Sequence, residues 1–190
     1  KTIFPGMLGG PHNHTISAMA ACFKESKSEE FKEYQRQVLK NSKVLGQTME
    51  KLGYRQQTGG TDNHMNMVIL KEHGLFSDSV EHMLDYLGVT VNKFNVKGTP
   101  FKARPDGLRL GSPAMTTRGC REAEFEEIGH ILGDILGFAK EYCRSGESFE
   151  GFKQRFDEDV NLSQVQQLEN FRNIVKEFSS KFDYNFEEEM

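Results

Sequence analysis

Two features of the sequence have residue types and spacing suited to holding anions. The first is the run Phe4-Pro5-Gly6-Met7-Leu8-Gly9-Gly10-Pro11-His12-Asn13-His14, glycine-rich and leading straight into a helix-forming stretch. Gly9 and Gly10 can bring bare backbone N–H groups close to a phosphate, and a helix start adds its partial positive charge. A tight turn with Pro11 in the first helical turn, where its missing N–H costs nothing, is the alternative. The second feature is Arg109 in Gly107-Leu108-Arg109-Leu110-Gly111. A guanidinium in a partly buried setting calls for a planar anion, and a free carboxylate suits its parallel donors better than it suits lysine. A salt bridge to an acidic helix residue would satisfy the same side chain.

Other candidates lead to less. His12 with His14, and Asp62 with His64, hold enough nitrogen and oxygen ligands for zinc. Residues two apart at a helix start diverge by about 200°, however, and nothing in the sequence brings the two pairs together, so no metal site is assigned. Thr116, Thr117 and Arg118 read as a turn and helix entry without chemistry. Cys22, Cys120 and Cys143 are odd in number, widely spaced and free of any CxxC pair, which suits a reducing compartment and three buried thiols without catalytic duty.

Charge narrows the possible partners. The net charge of −4 argues against a general binder of nucleic acid or anionic membrane, which would need a basic excess. No apolar run approaches the roughly 18 residues of a membrane span. The charge is uneven: residues 1–118 carry 16 basic and 11 acidic side chains, and the remainder 8 and 17. The sharpest basic excess, residues 92–109, sets Lys93, Lys97, Lys102, Arg104 and Arg109 against Asp106 alone. It suits a small anionic ligand or, more plainly, a solvated loop.

These groups need a scaffold. Residues 11–23 read as a helix apolar nearly all round, hence buried. In residues 29–52 apolar side chains recur at Phe31, Tyr34, Val38, Leu45, Met49 and Leu52, one stripe along a helix that Gly53 stops. Residues 54–57 and 64–70 read as strands around a turn, 76–87 as a helix with Ser77 or Ser79 near its start, and 89–92 as a brief strand. Residues 93–106 form a long loop, and 107–111 a strand with Arg109 outward between two inward leucines. A strong helix follows at 121–143, then a short one, then one near 163–182, and an acidic frayed tail at 185–190. The expected fold class is α/β, a small sheet covered by helices on one side. The first helix needs a partner surface that this chain need not contain.

The segments FPGMLGGPHNH (residues 4–14), GGTDNH (59–64), GLRLGSPA (107–114) and Thr117-Arg118-Gly119, in order and with matching spacing, resemble serine hydroxymethyltransferase from Lys1 to about Phe182. The resemblance implies the C-terminal part of a fold-type-I enzyme that uses pyridoxal 5'-phosphate and interconverts serine and glycine, with tetrahydrofolate as one-carbon carrier. It implies residues 1–28 at the edge of the cofactor-binding large domain, 29–53 as a connecting helix and 54–190 as the small α/β domain. Arg109 then matches the arginine that grips the amino-acid carboxylate. Gly9 and Gly10 match the loop that touches the cofactor phosphate of a neighbouring subunit, in a homodimer or tetramer of the complete enzyme. A cytoplasmic location is expected, with a mitochondrial one left open because any targeting segment would precede Lys1.

Departures from the family pattern shape the rest. The Thr-His-Lys segment whose lysine anchors the cofactor is absent from these residues, so the chain alone is expected to be inactive, with no catalytic residue of its own. The usual Asn-Lys-Asn-Thr has become Asn92-Lys93-Phe94-Asn95. Phe94 thus stands where an asparagine near the folate is expected, and Asn95 could replace it by a one-residue slip. A non-catalytic homologue, acting as an interaction or regulatory subunit of a complete enzyme, is the alternative.

Overall fold

The structure, a computed structural model, describes residues 1–100 and 103–182. The chain divides into two compact units, Lys1–Arg36 and Gln37–Met190. The first holds a turn-rich segment and helix α1 (Asn13–Glu25), and no residue of α1 is buried. This corrects the expectation of a buried first helix. Ile16, Met19 and Phe23 are each at least half exposed, because an apolar circumference states a demand for cover that so short a unit does not meet.

The second unit is built on a three-stranded antiparallel sheet of order β1-β3-β2, from β1 (Met65–Ile69), β2 (Asn92–Phe94) and β3 (Gly107–Gly111). Its register aligns Met67, Arg109 and Asn92 across the sheet, and likewise Ile69, Gly107 and Phe94. Side chains alternate between faces. Asn66, Val68, Leu108 and Leu110 are buried, whereas Arg109 and Asn92 are exposed. The helices therefore cover one face, as the sequence implied.

Helix α2 (Glu29–Lys51) meets that face along Val38, Asn41, Ser42, Leu45, Gly46, Thr48 and Met49. The amide N–H groups of Asn41 and Asn66 in this seam are paired, as most buried donors are, whereas Asn66 Oδ1 has no partner among the described residues. Asn41 Nδ2 donates to Thr116 Oγ1 at 2.8 Å and to the Cys120 carbonyl at 2.9 Å, and Asn66 Nδ2 donates to the Ser42 carbonyl at 3.0 Å. Helices α3 (Ser77–Tyr86), α4 (Pro113–Thr117), α5 (Glu122–Tyr142), α6 (Phe149–Asn161) and α7 (Gln166–Ser180) complete the unit. Val80, Met83 and Leu84 of α3 join Phe125, Ile135 and Leu136 of α5 and Phe152 and Phe156 of α6 in one core. The Ser148 hydroxyl caps α6 by accepting the Gly151 N–H at 3.1 Å.

Several boundaries differ from expectation. Residues 54–57 run beside β1 through the Gln57 N–H to Met67 O and Ile69 N–H to Arg55 O bonds, yet form only the isolated bridge of Gln56 to Val68. The strand expected at 89–92 instead begins at Asn92, after Gly88 ends α3 in the left-handed region at φ 83° and Val89 and Val91 pack against the core. Neither Ser77 nor Ser79 caps α3 through its side chain. The acidic tail at 185–190 lies outside the described residues.

Candidate active site

Strand alternation presents Arg109 on the open face of the sheet, between buried Leu108 and Leu110. Its Nη2 donates to Oδ1 of Asn92, directly opposite on β2. Among the described residues it forms no ion pair. Other arginines are committed to carboxylates: Arg55 to Glu72, Arg104 to Asp78, Arg155 to Glu147. The salt-bridge alternative for Arg109 is therefore not realised among the described residues, where its exposed side chain spends one donor on a neutral amide.

The basic excess around Arg109 is not one patch. Lys93 pairs with Glu81. Arg104 sends Nε and Nη2 to Asp78 at 2.9 and 2.5 Å, and Nη1 to the Glu147 carbonyl at 2.6 Å. Lys97 is exposed, and Lys102 lies outside the described residues. Asp106, counted as the lone opposing charge, is buried and pins the loop: its carboxylate accepts the Val96 N–H at 2.8 Å and the Thr99 hydroxyl at 2.6 Å.

Phe94 stands on the same sheet face as Asn92 and Arg109, with its ring over Gly107. Asn95 turns toward the loop, where Nδ2 donates to the carbonyls of Pro100 at 3.1 Å and Ala103 at 3.3 Å. In the other unit Gly9 and Gly10 are exposed, and neither N–H donates to a backbone carbonyl among the described residues. The rings of His12 and His14 stack with centroids 5.9 Å apart. No group of three or more His, Cys, Asp or Glu gathers as a metal shell among the described residues. Cys120 is buried and Cys143 half-buried, but Cys22 is exposed, which corrects the expectation that all three thiols lie inside. Burial pushes the Cys120 and Cys143 thiols up to about 11, where they are inert.

Two features escaped sequence reasoning. One is Asn92 as the partner of Arg109, which only the strand register reveals. The other is an apolar cavity of about 400 Å³ lined by residues such as Val91, Leu110, Phe125, Ile128 and Val175. Arg118 also lines it, and donates to the carbonyls of Ser179 and Phe182 at 2.6 Å each, closing the end of α7.

Residues 1–132 match the family model described as Serine hydroxymethyltransferase. The chain belongs to the serine hydroxymethyltransferase family. It is 41% identical over 184 residues to "Serine hydroxymethyltransferase" of Caenorhabditis elegans, covering 96% of this chain and 36% of that protein. It is 41% identical over 169 residues to "Serine hydroxymethyltransferase, cytosolic" of Saccharomyces cerevisiae, covering 85% and 35%. With "Serine hydroxymethyltransferase 3, chloroplastic" of Arabidopsis thaliana it shares 35% identity over 184 residues, covering 96% and 35%. The chain thus spans about a third of the length of the curated relatives it matches. No helix among the described residues is long and apolar enough to cross a membrane.

The family implies pyridoxal phosphate, and the described residues can be tested against it. A lysine that anchors such a cofactor must be desolvated enough to lose its proton near neutral pH. Every lysine among the described residues is exposed. A methyl built on Gly9 or Gly10 would meet nothing within 4 Å, so the glycine loop is no cradle by itself. The described residues do not, unaided, fit the cofactor.

Proposed function

We propose that the chain supplies part of a serine hydroxymethyltransferase, which interconverts serine and glycine with tetrahydrofolate as one-carbon carrier, and that Arg109 holds the amino-acid carboxylate. The observation that carries this is the guanidinium of Arg109 on the open face of the sheet, bonded to the neutral Asn92 amide and in no ion pair among the described residues, in a family member whose sequence neighbours Lys93 and Arg104 are neutralised. Two parallel donors would fix the carboxylate and so orient the α-carbon. Residues 54–190 form the small domain of a fold-type-I enzyme in this proposal. The exposed N–H groups of Gly9 and Gly10 meet the cofactor phosphate of a neighbouring subunit in a dimer or tetramer. Pyridoxal phosphate supplies the electron sink when bound, its lysine anchor comes from polypeptide beyond these residues, and the chain alone does not turn over.

Co-expression with a polypeptide carrying the other two thirds of the family sequence tests the proposal. Serine-to-glycine conversion is expected from the pair and from neither part alone. Arg109→Ala is expected to lower kcat/KM by about one to two orders of magnitude, the size of a lost charge-assisted hydrogen bond. A folded pair without conversion overturns it.

Phe94 favours a second reading, a non-catalytic subunit. It places a hydrocarbon ring where the family pattern has an amide, and Asn95 already spends its amide on the loop. A chain that binds a complete family enzyme but restores no turnover to the complementary part would support that reading.

A further inference from the structure

We infer that Asn92 is a positioning residue for Arg109: its side-chain carbonyl takes one donor of the guanidinium, sets the plane of the fork on the open sheet face, and leaves the positive charge for an α-amino-acid carboxylate. The inference rests on the assignment of Arg109 as the carboxylate site.

Three observations carry it. Asn92 and Arg109 are directly opposed in the β2-β3 register, so their side chains leave the same face side by side. Arg109 Nη2 donates to Asn92 Oδ1. Asn92 is itself fixed by its neighbour, since the Lys93 N–H donates to Glu81 Oε1 at 3.0 Å and the Lys93 side chain pairs with the same carboxylate, tying β2 to α3.

The chemistry of the acceptor decides what this arrangement does. A guanidinium has five N–H donors and no acceptor. A neutral amide oxygen occupies one donor and cancels no charge. A carboxylate in its place would do to Arg109 what Asp78 does to Arg104, where Nε and Nη2 are both consumed and the charge is neutralised within the protein. An exposed arginine with no partner would sample many rotamers and lose that freedom on binding; one held beforehand loses less. An asparagine opposite the arginine gives restraint without neutralisation.

The test follows the Arg109 side-chain Nε–H and Nη signals of the full 190-residue chain by NMR during titration with glycine, with glycinamide as the probe that lacks a carboxylate. The expected result is a saturable shift with glycine alone, and restricted rotation of the guanidinium before any ligand is added. Asn92→Ala should release that rotation and weaken the glycine response about fivefold, the effect of one hydrogen bond. Asn92→Asp should keep the rotation restricted but abolish the response over the same concentrations. Backbone amides of Leu108 and Leu110 report that the sheet is intact in each variant. Variants with intact sheets that rotate and titrate like the parent overturn the role of Asn92 and leave Arg109 standing. A parent chain that answers glycine and glycinamide alike overturns the carboxylate site and the inference with it.

Discussion

The ring of Phe94 lies over the α-carbon of Gly107, so that a Cβ built on the glycine would come within 2.5 Å of Phe94 Cζ and 3.0 Å of Val96 Cγ2. The two residues are cross-strand partners, and Gly107 lies two residues before Arg109 on β3. Bare backbone there lets an aromatic side chain close one end of the open face. Gly107→Ala is expected to cost about 1–2 kcal/mol by overpacking. The cost should fall in a Phe94→Ala background, because both changes act on one contact. Urea unfolding of the four proteins measures this; equal costs in both backgrounds would refute it.

Arg109 separates function from stability. It is exposed and pairs with no carboxylate among the described residues, so Arg109→Lys should change unfolding free energy by no more than about 0.5 kcal/mol. The same substitution should abolish carboxylate selectivity, because an ammonium is a point charge without the planar fork. Parallel urea melts and glycine titrations check both halves. A lysine variant that still distinguishes glycine from glycinamide would argue against bidentate recognition.

How far the molecule could be read in advance depends on whether each signal was local. Leu108-Arg109-Leu110 alternates with the two-residue period of a strand, and the outward direction of Arg109 followed from that period, whereas its exposure departs from the partly buried setting expected of it. The long helices carried their own stripes, and α2 and α5 start and end within a residue of their expected bounds. Pairings distant in sequence were not legible. Arg104 was counted toward an anion site, but Asp78, 26 residues earlier, consumes it. Lys93 was counted likewise and meets Glu81. Asn92 looked like the end of a strand and proved to be the start of one. Summed charge gives a field at a distance, not the list of donors left free after folding.

Arg104 should behave as a structural residue. Its side chain is 24% exposed, and that of Asp78 only 9%. Arg104→Met strands a nearly buried carboxylate and is expected to cost about 3 kcal/mol. Adding Asp78→Asn to that variant should return much of the loss, since no charge is then left unpaired. Thermal melts of the single and double variants decide it; a double variant no more stable than the single would count against a desolvated pair.

Acid should weaken the contact that ties α6 to the turn before it. Arg155 Nε and Nη2 donate to Glu147 at 2.9 and 2.7 Å, and this bonding holds the Glu147 carboxyl below the usual carboxylate range. A group more acidic in the folded chain than in the unfolded one stabilises the fold above its unfolded pKa, about 4.3. That stabilisation is lost as pH falls through the lower folded value. Unfolding free energy measured in urea from pH 6 to pH 3 should decline across that window, and Arg155→Gln should remove part of the slope. A variant with the parent's full slope would assign the acid sensitivity to other carboxyls.

Thiol chemistry should sort the three cysteines by environment. Cys22 is exposed on α1, whereas burial raises Cys120 and Cys143 to about 11. At pH 8 a thiol of that pKa is ionised in about one molecule in a thousand, and only the thiolate attacks. Iodoacetamide added to the native chain at pH 8 should therefore label Cys22 first and leave one adduct, with all three modified in urea, as peptide mass spectrometry would record. The half-buried Cys143 makes the experiment discriminating, because access alone would let it react early. Labelling of Cys143 at the rate of Cys22 would mean that burial does not suppress its thiolate.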